Sequence, residues 1–134
     1  MADTVASQTL FDGERVAIMK FTNISDGTGE SAVTKVDVSA LSSGTNGGAC
    51  DGVTVTRITS VTAGMSIRFL WDATTDVMFF AVPETSGYQY DFTCFGGLIN
   101  NAGAGKTGDI AFTTVGHTSG DTYTVVLEMT KHYA

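Results

Sequence analysis

Apolar residues recur at every second position in parts of this chain, and that alternation restricts its fold more than any other sequence feature. In residues 65–71 the odd positions hold Met, Ile, Phe and Trp, with Ser and Arg among the residues between them. Residues 123–129 repeat the pattern with Tyr, Val, Leu and Met at the odd positions. A period of two is typical of a half-buried strand, whereas an amphipathic helix repeats near 3.6 residues. Because the 16 glycines also disfavour helix, the sequence predicts a β protein.

Other segments rich in β-branched and aromatic residues predict further strands. A phase slip at Thr56-Arg57 indicates a β-bulge inside one of them. Residues 77–82 are apolar at both parities, which indicates a strand that is covered on both faces or that faces a partner subunit. The predicted strands are residues 16–21, 36–38, 53–58, 65–71, 77–82, 88–95, 110–112 and 123–129.

Loops rich in Gly, Ser, Asn and Asp separate these strands, and no helical segment lies between them. Many short strands without a helical insert favour an antiparallel architecture. The sequence therefore predicts an all-β fold: a single antiparallel β-sandwich, jelly-roll-like, of eight or nine strands. The predicted sandwich comprises residues 13–134, and residues 1–12 are predicted to form a short N-terminal arm.

The balance of charged residues disfavours several classes of partner. Lys and Arg total 7 against 14 Asp and Glu, for a net charge of −7, whereas a nucleic-acid groove needs a positive face. We therefore expect no nucleic-acid partner. No run of 18 apolar residues is present and residues 1–8 lack the features of a secretion signal, so we expect neither membrane insertion nor export.

The sequence of residues 100–107 ends in Gly-Lys-Thr, like a phosphate-binding P-loop. However, Asn100 stands where that motif has its leading glycine, and residues 108–114 are strand-like. A P-loop binds its phosphates at a helix N-terminus, which this context does not provide. We interpret the segment as an inter-strand loop and expect no nucleotide cofactor.

Metal binding has weak support in the sequence. His117 and His132 lack the spacing of a zinc site, and we interpret both as surface residues. Carboxylate pairs in loops have the oxygen ligands that calcium prefers, although neither pair matches an EF-hand. These pairs are Asp26 with Glu30 and Asp72 with Asp76. Acidic turns without metal are commoner, so we expect no bound metal.

Nothing in the sequence is typical of nucleophilic catalysis. There is no Gly-x-Ser-x-Gly motif, and Cys94 lies in an apolar segment where a thiol is usually a small buried hydrophobe. Cys50 and Cys94 are expected to be reduced thiols, since no export signal accompanies them. We predict that the protein is not an enzyme.

The aromatic residues permit either a core or a binding surface. Trp71 shares the parity of the apolar residues around it, which favours the core. Tyr88, Tyr90 and Phe92 share one face of a predicted strand, and this stripe fits a sandwich interior, an oligomer contact or a platform for stacking sugars. A carbohydrate-binding module is therefore the alternative from a different functional class.

In overall character the chain resembles the small accessory structural proteins of tailed bacteriophages, most of all capsid decoration (cement) proteins. The segments that carry the resemblance are residues 1–10, 19–27, 95–105 and 116–123. Such proteins bind the outside of the expanded capsid and clamp neighbouring major capsid protein subunits. The resemblance implies no catalytic or cofactor residues, and it equally suits a tail, neck or head-fibre component.

The resemblance also implies a location and partners. It implies assembly in the host cytoplasm, a place on the capsid exterior of the virion, and a homo-oligomer, most often a trimer. The arm would order on binding and add a strand to the edge of a neighbouring sheet. The residues that we expect in such contacts are Thr4, Val5, Leu10, Phe79, Tyr88 and Tyr90.

Overall fold

The computed structural model describes residues 4–27, 29–42, 44, 47–116 and 118–133, and for Thr4, Ser86 and Phe95 it describes the backbone alone. Within these ranges the chain forms nine strands and two 3-10 helices. No helix in the described part of the chain has the length and apolarity needed to cross a bilayer. The strands are β1 (Thr4–Asp12), β2 (Val16–Ile24), β3 (Val33–Val36), β4 (Cys50–Ala63), β5 (Ser66–Trp71), β6 (Val77–Val82), β7 (Ser86–Asp91), β8 (Ile110–Val115) and β9 (Thr122–Tyr133). The 3-10 helices are η1 (Val38–Ala40) and η2 (Thr93–Phe95).

The strands form two antiparallel sheets with the wrapping of a jelly roll. One sheet has the order β1-β2-β9-β4-β7 and the other the order β3-β8-β5-β6. Strand pairs nest within one another: β2 pairs with β9, β3 with β8, β4 with β7, and β5 with β6. This nesting is what results when a long antiparallel hairpin wraps around a barrel-like core. The predicted all-β antiparallel sandwich is confirmed.

The core lies between the two sheets and consists of the residues that alternate in the sequence. Ile67, Phe69 and Trp71 of β5 are fully buried, as are Val125 and Leu127 of β9. Each strand presents alternate side chains to one face, so the alternation fills the space between the sheets.

Aromatic rings join the two sheets within this core. The Phe112 ring on β8 lies edge-to-face with Phe21 of β2 at 5.2 Å and with Phe69 at 4.8 Å between ring centroids. Edge-to-face pairs place the positive edge of one ring against the negative face of the other, which adds to the stabilisation from burial. These contacts fix the spacing of the two sheets at the centre of the molecule.

The bulge predicted in β4 is present. The register of β4 against β9 shifts between Val55 and Arg57, and the Thr56 hydroxyl donates a hydrogen bond of 2.9 Å to the Glu128 carbonyl. Because of the extra residue, Val55 and Ile58 both reach the core although their separation in the sequence is odd.

A second bulge changes the interpretation of residues 77–82. The pairing of β5 with β6 shifts so that Phe79 has no partner on β5, and both Phe79 and Phe80 pack against the core. Met78 is 53% exposed. The interpretation that both faces of this strand are covered within the chain is therefore wrong. The bulge accounts for the inward position of both Phe79 and Phe80, whereas Met78 and Ala81 remain exposed.

The prediction for Cys94 was wrong. Strand β7 ends at Asp91, whose carboxylate accepts hydrogen bonds from the backbone N–H and the hydroxyl of Thr93 at 2.8 and 2.6 Å. These bonds stabilise the turn into η2, which places Cys94 in an exposed position. Cys50 is buried, and both cysteines are free thiols in the structure.

Residues 4–12, predicted as an arm, form β1 at one edge of the five-stranded sheet. Its backbone pairs with β2 from Thr4 opposite Ile24 to Asp12 opposite Ala17. All side chains from residue 5 to residue 11 nevertheless remain exposed, although the backbone of the strand is paired. The segment is thus a strand of the sheet by its backbone pairing, with the exposed side chains of an arm.

Candidate interaction site

The residues predicted to make contacts lie on edge strands of the two sheets. Thr4, Val5 and Leu10 are on β1, at one edge of the five-stranded sheet. Tyr88 and Tyr90 are on β7, at its other edge, and Phe79 is on β6, the edge strand of the second sheet. The structure therefore separates Tyr88 and Tyr90 from the residues of β1, while Phe79 packs on Phe69 and Trp71 of the core.

The first candidate surface, called here the tyrosine edge, consists of Phe80, Tyr88, Tyr90 and Phe92. Phe80 of β6 packs edge-to-face against Tyr90 at 4.9 Å and against Phe92 at 5.3 Å between ring centroids. Tyr90 in turn contacts Tyr88 at 5.1 Å. Tyr88 is 65% exposed, so the outermost ring of this cluster faces solvent while the inner rings support it.

Further ring contacts connect the tyrosine edge to the centre of the core. Phe69 lies 6.3 Å from Phe80 and 6.0 Å from Phe79, and Trp71 stacks on Phe79 at 4.1 Å. Aromatic side chains have few rotatable bonds, so such a cluster presents a rigid surface at little entropic cost. Phe80 is not among the contact residues predicted from the sequence, because its position depends on the bulge in β6.

The second candidate surface, called here the β1 edge, consists of the exposed strand β1. Val5, Leu10 and Phe11 are exposed by 48%, 54% and 54%. Leu10 has no partner on β2, because the register shifts between Thr9 and Phe11. The side chain of Thr4 lies outside the described side chains. Phe11 was not selected from the sequence, although it adjoins Leu10 and is equally apolar.

A buried lysine fixes the base of the β1 edge. Lys131 of β9 is fully buried, and its ammonium group donates to Asp12 Oδ1 at 2.6 Å, to the Gly13 carbonyl at 2.9 Å and to the Ser42 carbonyl at 2.9 Å. The Ser42 backbone N–H donates to the other oxygen of Asp12 at 2.8 Å. This cluster joins the β1–β2 connection, the segment after η1 and β9, which are distant in sequence.

The charges in this cluster shift the pKa values of both partners. Burial raises the pKa of Asp12, but hydrogen bonds from Lys131 and Ser42 outweigh burial and hold it below 3.8. Burial likewise lowers the pKa of Lys131, but hydrogen bonds with Asp12 and Tyr133 outweigh it and raise the pKa above 10.5. Both groups are therefore charged at neutral pH, and the ion pair holds the β1–β2 connection against β9.

A second buried ion pair involves one of the loop carboxylates that has the chemistry of a calcium ligand. Glu30 pairs with Lys35, and the side chains of both are 5% exposed. Glu30 also accepts hydrogen bonds from the Tyr123 hydroxyl at 2.6 Å and from Asn23 Nδ2 at 3.0 Å. The carboxylate is thus held by partners within the chain, inside the sandwich.

The other predicted carboxylate pair also has partners within the chain. Asp72 accepts a hydrogen bond from the Thr107 hydroxyl at 2.7 Å, and Asp76 accepts one from the Ala73 backbone N–H at 3.1 Å. Both carboxylates stabilise turns. In the described part of the chain, no three His, Cys, Asp or Glu side chains converge in a way that could hold a metal ion.

The loop that resembles a P-loop lies beside a shallow groove. Residues 100–108 contain only a turn at Ala104 and Gly105, so no helix N-terminus is present where a phosphate would bind. Lys106 and Thr107 line a groove of about 540 Å³ together with His132. The His132 ring contacts the Thr54 hydroxyl at 2.6 Å, and His117 lies outside the described residues.

The tyrosine edge offers the most defined chemistry of these surfaces. An exposed phenol ring on a rigid support can stack on another ring or on a sugar, and its hydroxyl can donate or accept a hydrogen bond. No protein-family model and no curated protein matches this chain.

Proposed function

We propose that the protein is a non-enzymatic bacteriophage structural protein that binds the capsid exterior through the tyrosine edge. There it would stabilise the capsid by clamping neighbouring major capsid protein subunits together. The observation that supports this most is Tyr88, which is 65% exposed and rests on Tyr90, itself held by Phe80. Tyrosines held in this way are common anchors of protein interfaces, because they bury a large area and lose little side-chain freedom.

The charge of the chain supports an exterior position. A net charge of −7 would repel packaged DNA, so the outside of the capsid is the more favourable place for this protein. Several copies linked in one oligomer would bind the capsid with an affinity above that of one tyrosine edge, since each further contact becomes intramolecular. The resemblance implies three copies.

Co-sedimentation with capsids tests this proposal. Purified protein is mixed with expanded, undecorated capsids and centrifuged, and the pelleted protein is quantified against its total concentration. We expect saturable binding at a fixed number of copies per capsid. A protein that stays in the supernatant, or that cryo-microscopy of the virion places only at the tail, neck or head fibre, would contradict the capsid proposal.

The same tyrosines support one alternative of a different class, a carbohydrate-binding module. The exposed ring of Tyr88, tilted against Tyr90 at 5.1 Å, has the area to stack on a sugar ring. A glycan array distinguishes the two. Selective binding that Tyr88→Ala abolishes, with no binding to capsids, would favour the carbohydrate function.

A further inference from the structure

Apart from one bulge, the β1 edge lacks the features that normally protect an edge strand from pairing with another chain. Natural edges are blocked by lysine, by proline, by inward-pointing charges or by a covering element. Residues 4–11 contain neither proline nor any charged residue, and all side chains from residue 5 to residue 11 are exposed. Only the bulge at Leu10 interrupts the strand, which leaves residues 4–9 as an unbroken ladder against β2.

The lack of charge along residues 4–11 makes a second copy of this chain an occupant that this edge can accept. The chain has a net charge of −7, so two copies repel each other overall. Residues 4–11 are neutral, and therefore two β1 edges can approach without placing like charges opposite each other.

The strand directions favour a two-fold arrangement over a ring of three edge-paired copies. Neighbouring strands across the order β1-β2-β9-β4-β7 are antiparallel, so β1 and β7 point in the same direction. In a closed ring of three copies, β1 of one copy would therefore meet β7 of the next in parallel. Two β1 strands related by a two-fold axis perpendicular to the sheet meet antiparallel, which is the slightly more stable pairing.

We propose that two copies of the chain pair through antiparallel β1 strands over residues 4–9, so that their five-stranded sheets become one continuous sheet. The two-fold axis then passes near Ser7, in the middle of the unbroken segment. This dimer does not depend on capsid binding, and it replaces the three-fold oligomer that the resemblance implies. The tyrosine edges lie at the two far ends of the joined sheet, free to bind a common partner.

Disulfide cross-linking tests the pairing directly. Across an antiparallel pair the Cα atoms are about 4.5–5.5 Å apart, within the range of about 4.4–6.8 Å that a disulfide spans. Ala6→Cys, Ser7→Cys and Gln8→Cys are each made in a Cys94→Ser background, because Cys94 is an exposed thiol. Gln89→Cys, exposed on the opposite edge of the same sheet, is the matched control.

We expect one of the three β1 variants to form a disulfide-linked dimer at least tenfold faster than the control, and that position marks the two-fold axis. Equal rates at both edges, or faster cross-linking of Gln89→Cys, would overturn the proposal.

A charge substitution provides a second test that needs no oxidation. Light scattering of the wild-type protein is expected to give twice the monomer mass. Ser7→Lys, which places two lysines near the axis, is expected to give the monomer mass, while Gln89→Lys stays dimeric. A wild-type protein of monomer mass or of three times that mass overturns the proposal. Since neither test involves capsids, its failure is distinguishable from failure of the proposed function.

Discussion

The two edges of the five-stranded sheet expose apolar side chains to a similar degree but support them differently. Tyr88 on β7 is 65% exposed, and Leu10 on β1 is 54% exposed. Behind Tyr88, ring contacts continue through Tyr90 and Phe80 to the core. On the other side of the sheet, β1 is an edge strand, and among the described strands it pairs with β2 alone.

The difference shows that exposure alone does not identify the kind of contact a surface makes. A rigid, supported ring suits a side-chain contact with another surface, as in the centre of a protein interface. A strand with open backbone groups and little side-chain packing suits pairing with another strand. Substitutions at the two edges separate these two kinds of support.

The largest loss is expected at the base of the β1 edge, where Lys131 holds Asp12 and two carbonyl groups. Lys131→Met leaves these groups without their cation, and removal of one partner from a buried pair costs roughly 3–5 kcal/mol. Because Asp12 is 21% exposed, we expect a loss at the lower end of that range. Chemical denaturation measures the loss. Lys106→Met, at an exposed position, is the control and should change stability by less than about 0.5 kcal/mol.

A smaller loss distinguishes the two edges directly. Phe80→Ala removes the ring between the tyrosine edge and the core and should cost about 2–3 kcal/mol, below the range of about 3–5 kcal/mol for a fully buried ring. Phe11→Ala makes the same change on the β1 edge, where the ring is 54% exposed, and should cost about 0.5 kcal/mol. The two variants are compared by urea denaturation below the concentration at which the chain self-associates. Equal losses would show that the edges are supported alike.

The pH dependence of stability reports on the same lysine cluster. The pKa of Asp12 is held below its ordinary value of 3.8 in the folded chain. Its contribution is therefore fully present above that value and is lost as the pH falls through the lowered folded pKa. We expect the wild type to lose more stability than Asp12→Asn between about pH 6 and about pH 2. Parallel curves for the two proteins would contradict the assignment of this carboxylate.

The smallest loss of stability is expected at the surface of the tyrosine edge. Tyr88→Ala removes a ring that is mostly exposed, so the change should stay within about 1 kcal/mol. The same substitution should weaken binding to capsids at least tenfold, as at an interface anchor. Tyr88→Phe keeps the ring and should retain most of the binding if stacking dominates. Unchanged binding of Tyr88→Ala would remove the tyrosine edge from the interface.

Local sequence patterns predicted much of the fold. The alternation in residues 65–71 and 123–129 predicted β5 and β9, and the phase slip at Thr56-Arg57 predicted the bulge in β4. Each of these patterns depends on the residues within one strand. The bulge at Phe79 was not predicted, because it is defined by the register of β6 against β5.

The candidate surfaces depended more on contacts distant in sequence. Tyr88 and Tyr90 were selected because alternation places them on one face, but their support comes from Phe80 on another strand. The Lys131 cluster joins Asp12, Ser42 and Lys131, and no local pattern relates such distant positions. Cys94 was misplaced because the Asp91–Thr93 turn ends the strand, and turn chemistry outweighed the apolar run.

The difference between the two edges is tested most directly by hydrogen–deuterium exchange of the free and capsid-bound protein. Dilution of the free protein should deprotect the amides of residues 4–9 and leave those of residues 86–91 unchanged, because only β1 pairs between copies. Addition of expanded capsids should then slow exchange of the amides of residues 86–95 and leave exchange of the amides of residues 4–9 unchanged. Protection of residues 4–9 by capsids, with no change around residues 86–95, would contradict the assignment of the two edges.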